Sequence, residues 1–249
     1  MASSNYRLGF TTVTFRHKCA AEIVELAKNS GVKYIEWGAD VHAKSEDDAK
    51  KIRALCDASG ITSVSLGSYC RVGDGDLESF LRDCKIAEIL GAERIRVWLG
   101  RKGSADVTAD EREKMIAETR SMSKIARAHG LLLAFEFHRK TLTDTGLSCA
   151  AFLGDVGDEN VKTYWQPFFK GSDAGNLDAV VENVAAVHVF SWDAECHRFP
   201  LADKSDEWRA FIEKIKSRHE KMDFIIEFVR DDSEKQFEED EKTLKKLLR

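Results

Sequence analysis

The amino-acid sequence predicts an α/β protein, and within that class a (β/α)8 barrel. Short apolar runs alternate with amphipathic runs eight times along the 249 residues, as strands of a parallel sheet alternate with covering helices. Glycines stand where four predicted helices end just before a strand, and glycine readily adopts the left-handed conformation found there. These glycines are Gly31, Gly60, Gly91 and Gly130. An open doubly wound sheet would alternate in the same way, but no Gly-x-Gly-x-x-Gly pattern follows the first strand. The closed barrel is therefore the favoured interpretation.

Each element is predicted from its own run of residues. The predicted strands are Tyr6–Phe10, Lys33–Trp37, Ile61–Leu66, Arg94–Leu99, Leu131–His138, Val161–Trp165, Ala185–Phe190 and Phe224–Phe228. The predicted helices are Cys19–Asn29, Glu46–Ser59, Asp76–Leu90, Ala109–His129, Gly146–Asp155, Asn176–Asn183, Asp206–His219 and Glu234–Leu248. Thr108-x-x-Glu111 and Ser233-x-x-Gln236 have the form of a capping box at two helix starts. Because no low-complexity linker divides the chain, residues 1–249 are predicted to form a single barrel domain.

Composition excludes several classes of function. The formal net charge is −5, so no basic face for a phosphate backbone is expected and nucleic acid is not a predicted partner. No apolar run approaches the roughly 20 residues that span a bilayer, and the start Met1–Asn5 lacks the regions of a secretory signal. The six cysteines form no Cys-x-x-Cys pair, which favours reduced thiols in a cytoplasmic protein.

The fifth predicted strand carries the first indication of chemistry. Leu131–Phe135 is continuously apolar, as in a strand buried on both faces, and Glu136 and His138 then interrupt the apolar run. Residues two apart project on the same side of a strand. A carboxylate in such a place is costly unless it is paired, protonated or bound to a metal. This strand end is also where parallel α/β folds place their active sites.

Polar residues recur at the ends of other predicted strands: Glu36, Gln166, His188 and Glu227. In a closed barrel these ends converge on one mouth, although the residues are far apart in sequence. Carboxylate and amide oxygens with one imidazole suit Mn²⁺, Mg²⁺ or Co²⁺, and Zn²⁺ is not excluded. The sequence therefore predicts one divalent metal ion at the mouth.

Several motifs resemble those of the xylose isomerase-like TIM barrel family, the sugar phosphate isomerase/epimerase group, over essentially the whole chain. They are Ile35-Glu36-Trp37 with His42, Phe135-Glu136-Phe137-His138 with Thr141–Thr145, Tyr164-Trp165-Gln166-Pro167, Val187–Trp192 and Ile226-Glu227-Phe228. The resemblance implies four metal ligands, which are Glu136, Gln166, His188 and Glu227 in this sequence. Many members of the family carry Asp where this chain has Gln166. Gln keeps a carbonyl oxygen but removes one negative charge, so weaker metal binding is expected.

The resemblance also implies a reaction. In this family the metal polarises the carbonyl and neighbouring hydroxyl of a sugar, and a proton is removed from the carbon next to the carbonyl through a metal-stabilised enediolate. Glu136 and Glu227 would then be the catalytic acid/base pair as well as ligands.

Other residues of these motifs are candidates for substrate binding. Glu36, His42 and His138 are predicted to hold substrate hydroxyls, although each also has a purely structural interpretation. Arg198, in the loop after the seventh strand, is predicted to hold a phosphate or carboxylate, and a surface role is the alternative. No glycine-rich phosphate loop follows the seventh or eighth strand, so an unphosphorylated sugar is as consistent with the sequence as a sugar phosphate.

The predicted function is a metal-dependent isomerase or epimerase of a small sugar or sugar derivative. Two alternatives stay open: a lyase of the inosose dehydratase type, and a non-catalytic sugar-binding barrel that has lost its metal at Gln166. An enzyme like endonuclease IV, which shares the barrel, needs more His and Asp ligands than these strand ends supply, and the acidic net charge argues against it. The expected partner is a small sugar, with no nucleic acid and no membrane, and the resemblance suggests a homo-oligomer.

Overall fold

The computed structural model describes residues 5–249, and its eight parallel strands close into a barrel in sequence order, β1 to β8. Each strand pairs with the next along the chain, and β8 pairs with β1. The predicted (β/α)8 class is therefore confirmed. Residues 1–4 of the N-terminal stretch in which no secretory signal was predicted lie outside the described residues. Within residues 5–249, no helix combines the length and apolar character that crossing a bilayer requires.

The elements have the following bounds. The strands are β1 Tyr6–Thr11, β2 Tyr34–Gly38, β3 Thr62–Val72, β4 Arg94–Leu99, β5 Leu132–Phe135, β6 Val161–Trp165, β7 Val184–Val189 and β8 Met222–Ile226. The α-helices are α1 Ala20–Ser30, α2 Glu46–Ser59, α3 Leu77–Leu90, α4 Ala109–Ala128, α5 Gly146–Val156, α6 Asp173–Val180, α7 Ser205–Lys216 and α8 Glu234–Leu247.

Two strands, β3 and β5, differ from their predicted lengths by more than one residue, and both differences lie beside the predicted site. β3 continues to Val72 after a register shift that begins at Gly67. A Cβ atom at Gly67 would lie 2.4 Å from the guanidinium of Arg96, so this position leaves room for an arginine inside the barrel. β5 ends at Phe135 instead of His138, although the backbone N–H of Glu136 still donates to the carbonyl of Val97 at 2.9 Å.

Helix ends follow the predicted chemistry with one correction. Thr108 and Glu111 cap each other's backbone N–H groups, as the capping box requires. Ser233 accepts from the N–H of Gln236, but the Gln236 amide donates to Asp240 Oδ1 at 2.8 Å instead of closing the box. The second predicted capping box is therefore wrong in its return bond, because a buried acceptor competes for the glutamine.

The barrel interior is layered. An apolar layer made of Val64, Ala134, Tyr164, Ala186 and Ile225 crosses its middle. At the N-terminal ends of the strands, buried Arg94 pairs with buried Asp223 and donates to the Tyr164 hydroxyl at 2.9 Å. This ion cluster closes the bottom of the barrel, so the C-terminal ends of the strands remain for a site.

Asp240 on α8 holds the loop that follows β7. Its Oδ1 accepts the backbone N–H of Leu201 and the Gln236 amide, each at 2.8 Å. The side chain is buried, and burial raises the pKa of Asp240 to about 6 despite these hydrogen bonds.

A raised carboxyl pKa predicts how stability depends on pH. The protonated form of Asp240 is favoured in the folded state, so the stabilisation is complete below the unfolded pKa near 4 and is lost as pH rises through about 6. We expect the free energy of unfolding of wild type, relative to Asp240→Asn, to fall by as much as ~3 kcal/mol across that interval. Urea unfolding of both proteins at several pH values measures this difference. Parallel pH profiles of the two proteins would contradict the prediction.

Candidate metal and catalytic site

Three buried side chains from the second half of the barrel converge at its C-terminal end. Glu136 follows β5, His188 lies on β7 and Glu227 follows β8, and one ligand atom from each lies within 4.8 Å of the others. Two bonds of about 2.0–2.6 Å from one ion to its ligands span distances of this size. The barrel closure thus brings together residues that are more than 90 positions apart in the chain, from Glu136 to Glu227.

Gln166 joins this group from the end of β6. Its Oε1 lies 3.0 Å from Nδ1 of His188, and the residue is 6% exposed. The same nitrogen of His188 lies 3.4 Å from Oε2 of Glu227. All four residues predicted as metal ligands therefore face a common space, and their role as ligands stays a prediction.

Glu36 reaches the site from β2, on the far side of the histidine ring. Its Oε1 lies 3.1 Å from Nε2 of His188, while its Oε2 has no hydrogen-bond partner among the described residues. Both side chains are completely buried. The structure thus places Glu36 beside the predicted ligands, in contact with the imidazole.

Arg96 of β4 lies at the centre of this group, although it is not among the site residues predicted from the sequence. Its Nε donates to Glu36 Oε1 at 3.2 Å, and one of its terminal nitrogens is hydrogen-bonded to Glu136 Oε2. Trp98, two residues on, donates its indole N–H to the same Glu136 oxygen. The signal was present in Arg94-Ile95-Arg96, since a charged residue inside an apolar strand needs a buried partner whatever its sign.

Burial and the neighbouring charges shift the pKa values of the three glutamates in different directions. Burial alone would raise the pKa of Glu36 and of Glu136, but Arg96 and His188 outweigh it and hold both pKa values below the usual range. Burial raises the pKa of Glu227 to about 7, and the negative charge of Glu136 adds to this although His188 opposes it. Burial opposes protonation of His188, but Glu227 and Glu36 outweigh it and raise the pKa of the ring.

The charge of this group fits a divalent cation. Glu36, Glu136 and Glu227 carry three negative charges when ionised, and Arg96 returns one positive charge. The balance is two negative charges in a buried space lined by carboxylate oxygen, amide oxygen and imidazole nitrogen. One Mn²⁺, Mg²⁺, Co²⁺ or Zn²⁺ neutralises that balance, and the donor types suit each of these ions.

His138 lies at the edge of the group. Its ring stacks on Trp98 with centroids 5.2 Å apart, and its Nδ1 lies 2.7 Å from the carbonyl of Arg139. A carbonyl only accepts, so Nδ1 carries a hydrogen and Nε2 is the ring nitrogen left for other contacts. The guanidinium of Arg71 lies over the Trp98 ring, 3.6 Å from its centroid.

Two predicted substrate-binding residues have partners elsewhere. Nδ1 of His42 lies 2.9 Å from Thr12 Oγ1, and Nε2 lies 2.9 Å from the carbonyl oxygen of Lys18. The ring therefore connects the loops that follow β1 and β2. Arg198 donates to Asp232 at 2.6 Å and lies over the ring of Phe228. The structure does not place His42 among the predicted ligands, and substrate contact by either residue stays a prediction.

The Gln166 position allows a direct test of the charge argument. Gln166→Asp adds a negative charge beside the Glu136, His188 and Glu227 cluster while keeping an oxygen ligand. We expect the Mn²⁺ dissociation constant to fall at least ~10-fold, since at an effective dielectric constant of about 20 one extra charge at ~4 Å is worth several kcal/mol before desolvation. Isothermal titration measures it, with Gln166→Ala as the control that removes the oxygen. Equal Mn²⁺ affinity in Gln166→Asp and wild type would contradict the prediction.

Comparison with known proteins finds an enzyme among the relatives of this chain. A 3-dehydroshikimate dehydratase from Bacillus anthracis is 31% identical over an alignment of 166 residues, and the match covers 61% of this chain and 58% of that protein. The match therefore spans less than two thirds of the relative's length.

Solved structures share the whole fold at low sequence identity. The probable 3-DHS dehydratase AsbF of Bacillus anthracis superposes with a TM-score of 0.81 and 19% identity, covering 96% of this chain and 98% of that chain. D-psicose 3-epimerase from Clostridium cellulolyticum H10, solved with D-tagatose, has a TM-score of 0.74 and 15% identity over 97% and 98% of the two chains. IolI, solved with a zinc atom, has a TM-score of 0.78 and 16% identity over 97% and 98%.

The family model described as xylose isomerase-like TIM barrel matches residues 24–247. That span runs from α1 to the end of α8 and includes all of the predicted metal ligands. The chain therefore belongs to the xylose isomerase-like TIM barrel family.

Proposed function

We propose that the protein is a divalent-metal-dependent lyase that removes water from a small hydroxy-ketone, with 3-dehydroshikimate as the reference substrate. The observation that carries the proposal is the buried convergence of Glu136, His188 and Glu227. A metal-binding acid pair suits chemistry that begins with removal of a proton next to a carbonyl. The 31% identity to a dehydratase favours elimination as the outcome.

The two glutamates are unequal, and this assigns their roles. Glu136 Oε2 is held by Arg96 and Trp98, whereas Glu227 Oε2 lies 3.4 Å from Nδ1 of His188. Glu227 is thus the carboxylate free to accept the proton, and Glu136 is the fixed one. The electron pair left on carbon forms a double bond to the next carbon, whose hydroxyl takes up the proton held by Glu227 and departs as water.

The surroundings supply orientation and exclude solvent. His138 presents Nε2 to a substrate hydroxyl, and Trp98 fixes that ring by stacking. The four predicted ligands are each at most 6% exposed, so little bulk water would reach the reacting carbon of a bound substrate. A divalent cation, when bound, supplies Lewis-acid polarisation of the substrate carbonyl.

The test measures two events separately: removal of the proton, seen as deuterium incorporation, and loss of water. Purified protein is incubated with 3-dehydroshikimate in D₂O, with Mn²⁺ and with EDTA in parallel. We expect the substrate to lose one molecule of water only when metal is present. Mass spectrometry and ultraviolet absorbance measure this loss. Absence of both water loss and deuterium incorporation with Mn²⁺, Mg²⁺, Co²⁺ and Zn²⁺ would overturn the proposal for this substrate.

An epimerase or isomerase of a small sugar is the second candidate, because the fold of D-psicose 3-epimerase covers 97% of this chain and the same carboxylate pair could return the proton. A panel of ketoses in D₂O tests it: deuterium at the carbon next to the carbonyl, with inverted configuration and no loss of water, supports epimerisation. Sugar binding without any exchange would instead support a non-catalytic barrel.

A further inference from the structure

We propose that Glu36 is a positioning residue that sets the tautomer and direction of His188, so that the Nδ1 atom is the one presented to the metal. This inference rests on the proposed function, since it concerns the same metal site. It replaces the expectation from the sequence that Glu36 holds a substrate hydroxyl.

The two nitrogens of His188 face different partners. Nδ1 lies 3.0 Å from Gln166 Oε1 and 3.4 Å from Glu227 Oε2, both on residues predicted to bind the metal. Nε2 lies 3.1 Å from Glu36 Oε1. One side of the ring therefore belongs to the predicted ligands, and the other belongs to Glu36.

The chemistry of a carboxylate fixes the direction of that contact. An ionised carboxylate only accepts hydrogen bonds, so Nε2 of His188 carries a hydrogen. Nδ1 also faces acceptor oxygens, those of Gln166 and Glu227, so a cation bound among these atoms would take the place of a proton on Nδ1. A histidine ligand must present an unprotonated nitrogen, and a carboxylate on the opposite nitrogen commonly orients such rings. Arg96 donates to the same Glu36 oxygen at 3.2 Å, which keeps the carboxylate in place.

Exposure separates Glu36 from the residues that meet a substrate. Glu136, Gln166 and Glu227 retain 5–6% exposure, whereas Glu36 and His188 are completely buried. A molecule entering from the mouth therefore reaches the first three before it reaches Glu36. Glu36 Oε2 has no hydrogen-bond partner within residues 5–249, so the experiment must distinguish action through His188 from contact with substrate.

The first experiment reads the tautomer directly. In ¹⁵N-labelled protein saturated with Zn²⁺, long-range ¹H–¹⁵N correlation spectra should show His188 protonated at Nε2 and metal-bound at Nδ1, with His188→Ala giving the assignment. Zinc bound through Nε2 would overturn the proposal. This measurement uses wild type, so it does not depend on any variant folding.

The second experiment measures Mn²⁺ affinity by isothermal titration, with no substrate present. We expect Glu36→Leu to weaken binding by about 10–100-fold, the usual effect of losing such a partner, and Glu36→Gln to weaken it less, because it removes the charge but keeps an oxygen that accepts from His188. In a His188→Ala background, Glu36→Leu should weaken binding no more than Glu36→Gln does in wild type, because only the effect of the lost charge remains.

The possible failures differ. A wild-type protein that binds neither Mn²⁺ nor Zn²⁺ would overturn the proposed function and this inference with it. Wild-type binding that Glu36→Leu leaves unchanged, or an equal loss in the presence and absence of His188, would overturn this inference alone.

Discussion

Replacing Glu227 with glutamine is expected to lower kcat by about 100- to 10,000-fold, the usual contribution of a positioned acid or base. Glutamine keeps the size of the side chain and an oxygen toward the site, but it cannot accept the substrate proton. Glu227 is only 5% exposed, so a base from solvent cannot readily take its place in accepting the proton. Initial rates with 3-dehydroshikimate and saturating Mn²⁺ measure the effect.

The control is Glu182→Gln. Glu182 lies in the segment before β7, where its 65% exposed side chain pairs with Arg218. Because this pair lies at the surface, the variant should keep the wild-type kcat. Mn²⁺ content is measured in both proteins, because a loss of metal would lower the rate for another reason. A Glu227→Gln enzyme that holds Mn²⁺ and keeps more than about a tenth of wild-type kcat would remove Glu227 from the role of base.

The three residues that converge in this site could be predicted from the sequence because each one follows or interrupts an apolar strand. Glu136, His188 and Glu227 each follow or interrupt a run of buried residues, and closure of eight strands converts that pattern into proximity. The partnership of Glu36 with His188 could not be predicted, because β2 and β7 are not neighbours in the sheet. Contacts across a barrel interior depend on side-chain length and direction, which alternation along one strand does not reveal.

The fold was more predictable than its details for a related reason. Apolar runs and glycine C-caps are local signals, so the order of all eight strands followed from them. The extension of β3 to Val72 is not local, because it depends on β4 residues Trp98 and Leu99 that pair with it. The early end of β5 likewise comes from Glu136 turning toward Arg96 and Trp98.

Arg96 leads to the largest expected change in stability. Arg96 is 4% exposed and its guanidinium contacts both Glu36 and Glu136, so it compensates these two buried carboxylates together with His188. Arg96→Met keeps much of the volume but removes the guanidinium from both carboxylates. Removing one partner of a buried ion pair typically costs ~3–5 kcal/mol, because the remaining charge stays away from water.

Urea unfolding in EDTA measures this cost, and Arg101→Met is the matched control. Arg101 pairs with Asp74 at 2.7 Å, but its side chain is 65% exposed, so water replaces the lost partner and a much smaller change is expected. Equal effects in the two variants would contradict the assignment of Arg96 as a compensating charge. Mn²⁺ should then restore part of the stability of Arg96→Met, since a cation that binds the folded state stabilises it and here meets three carboxylates without a competing arginine.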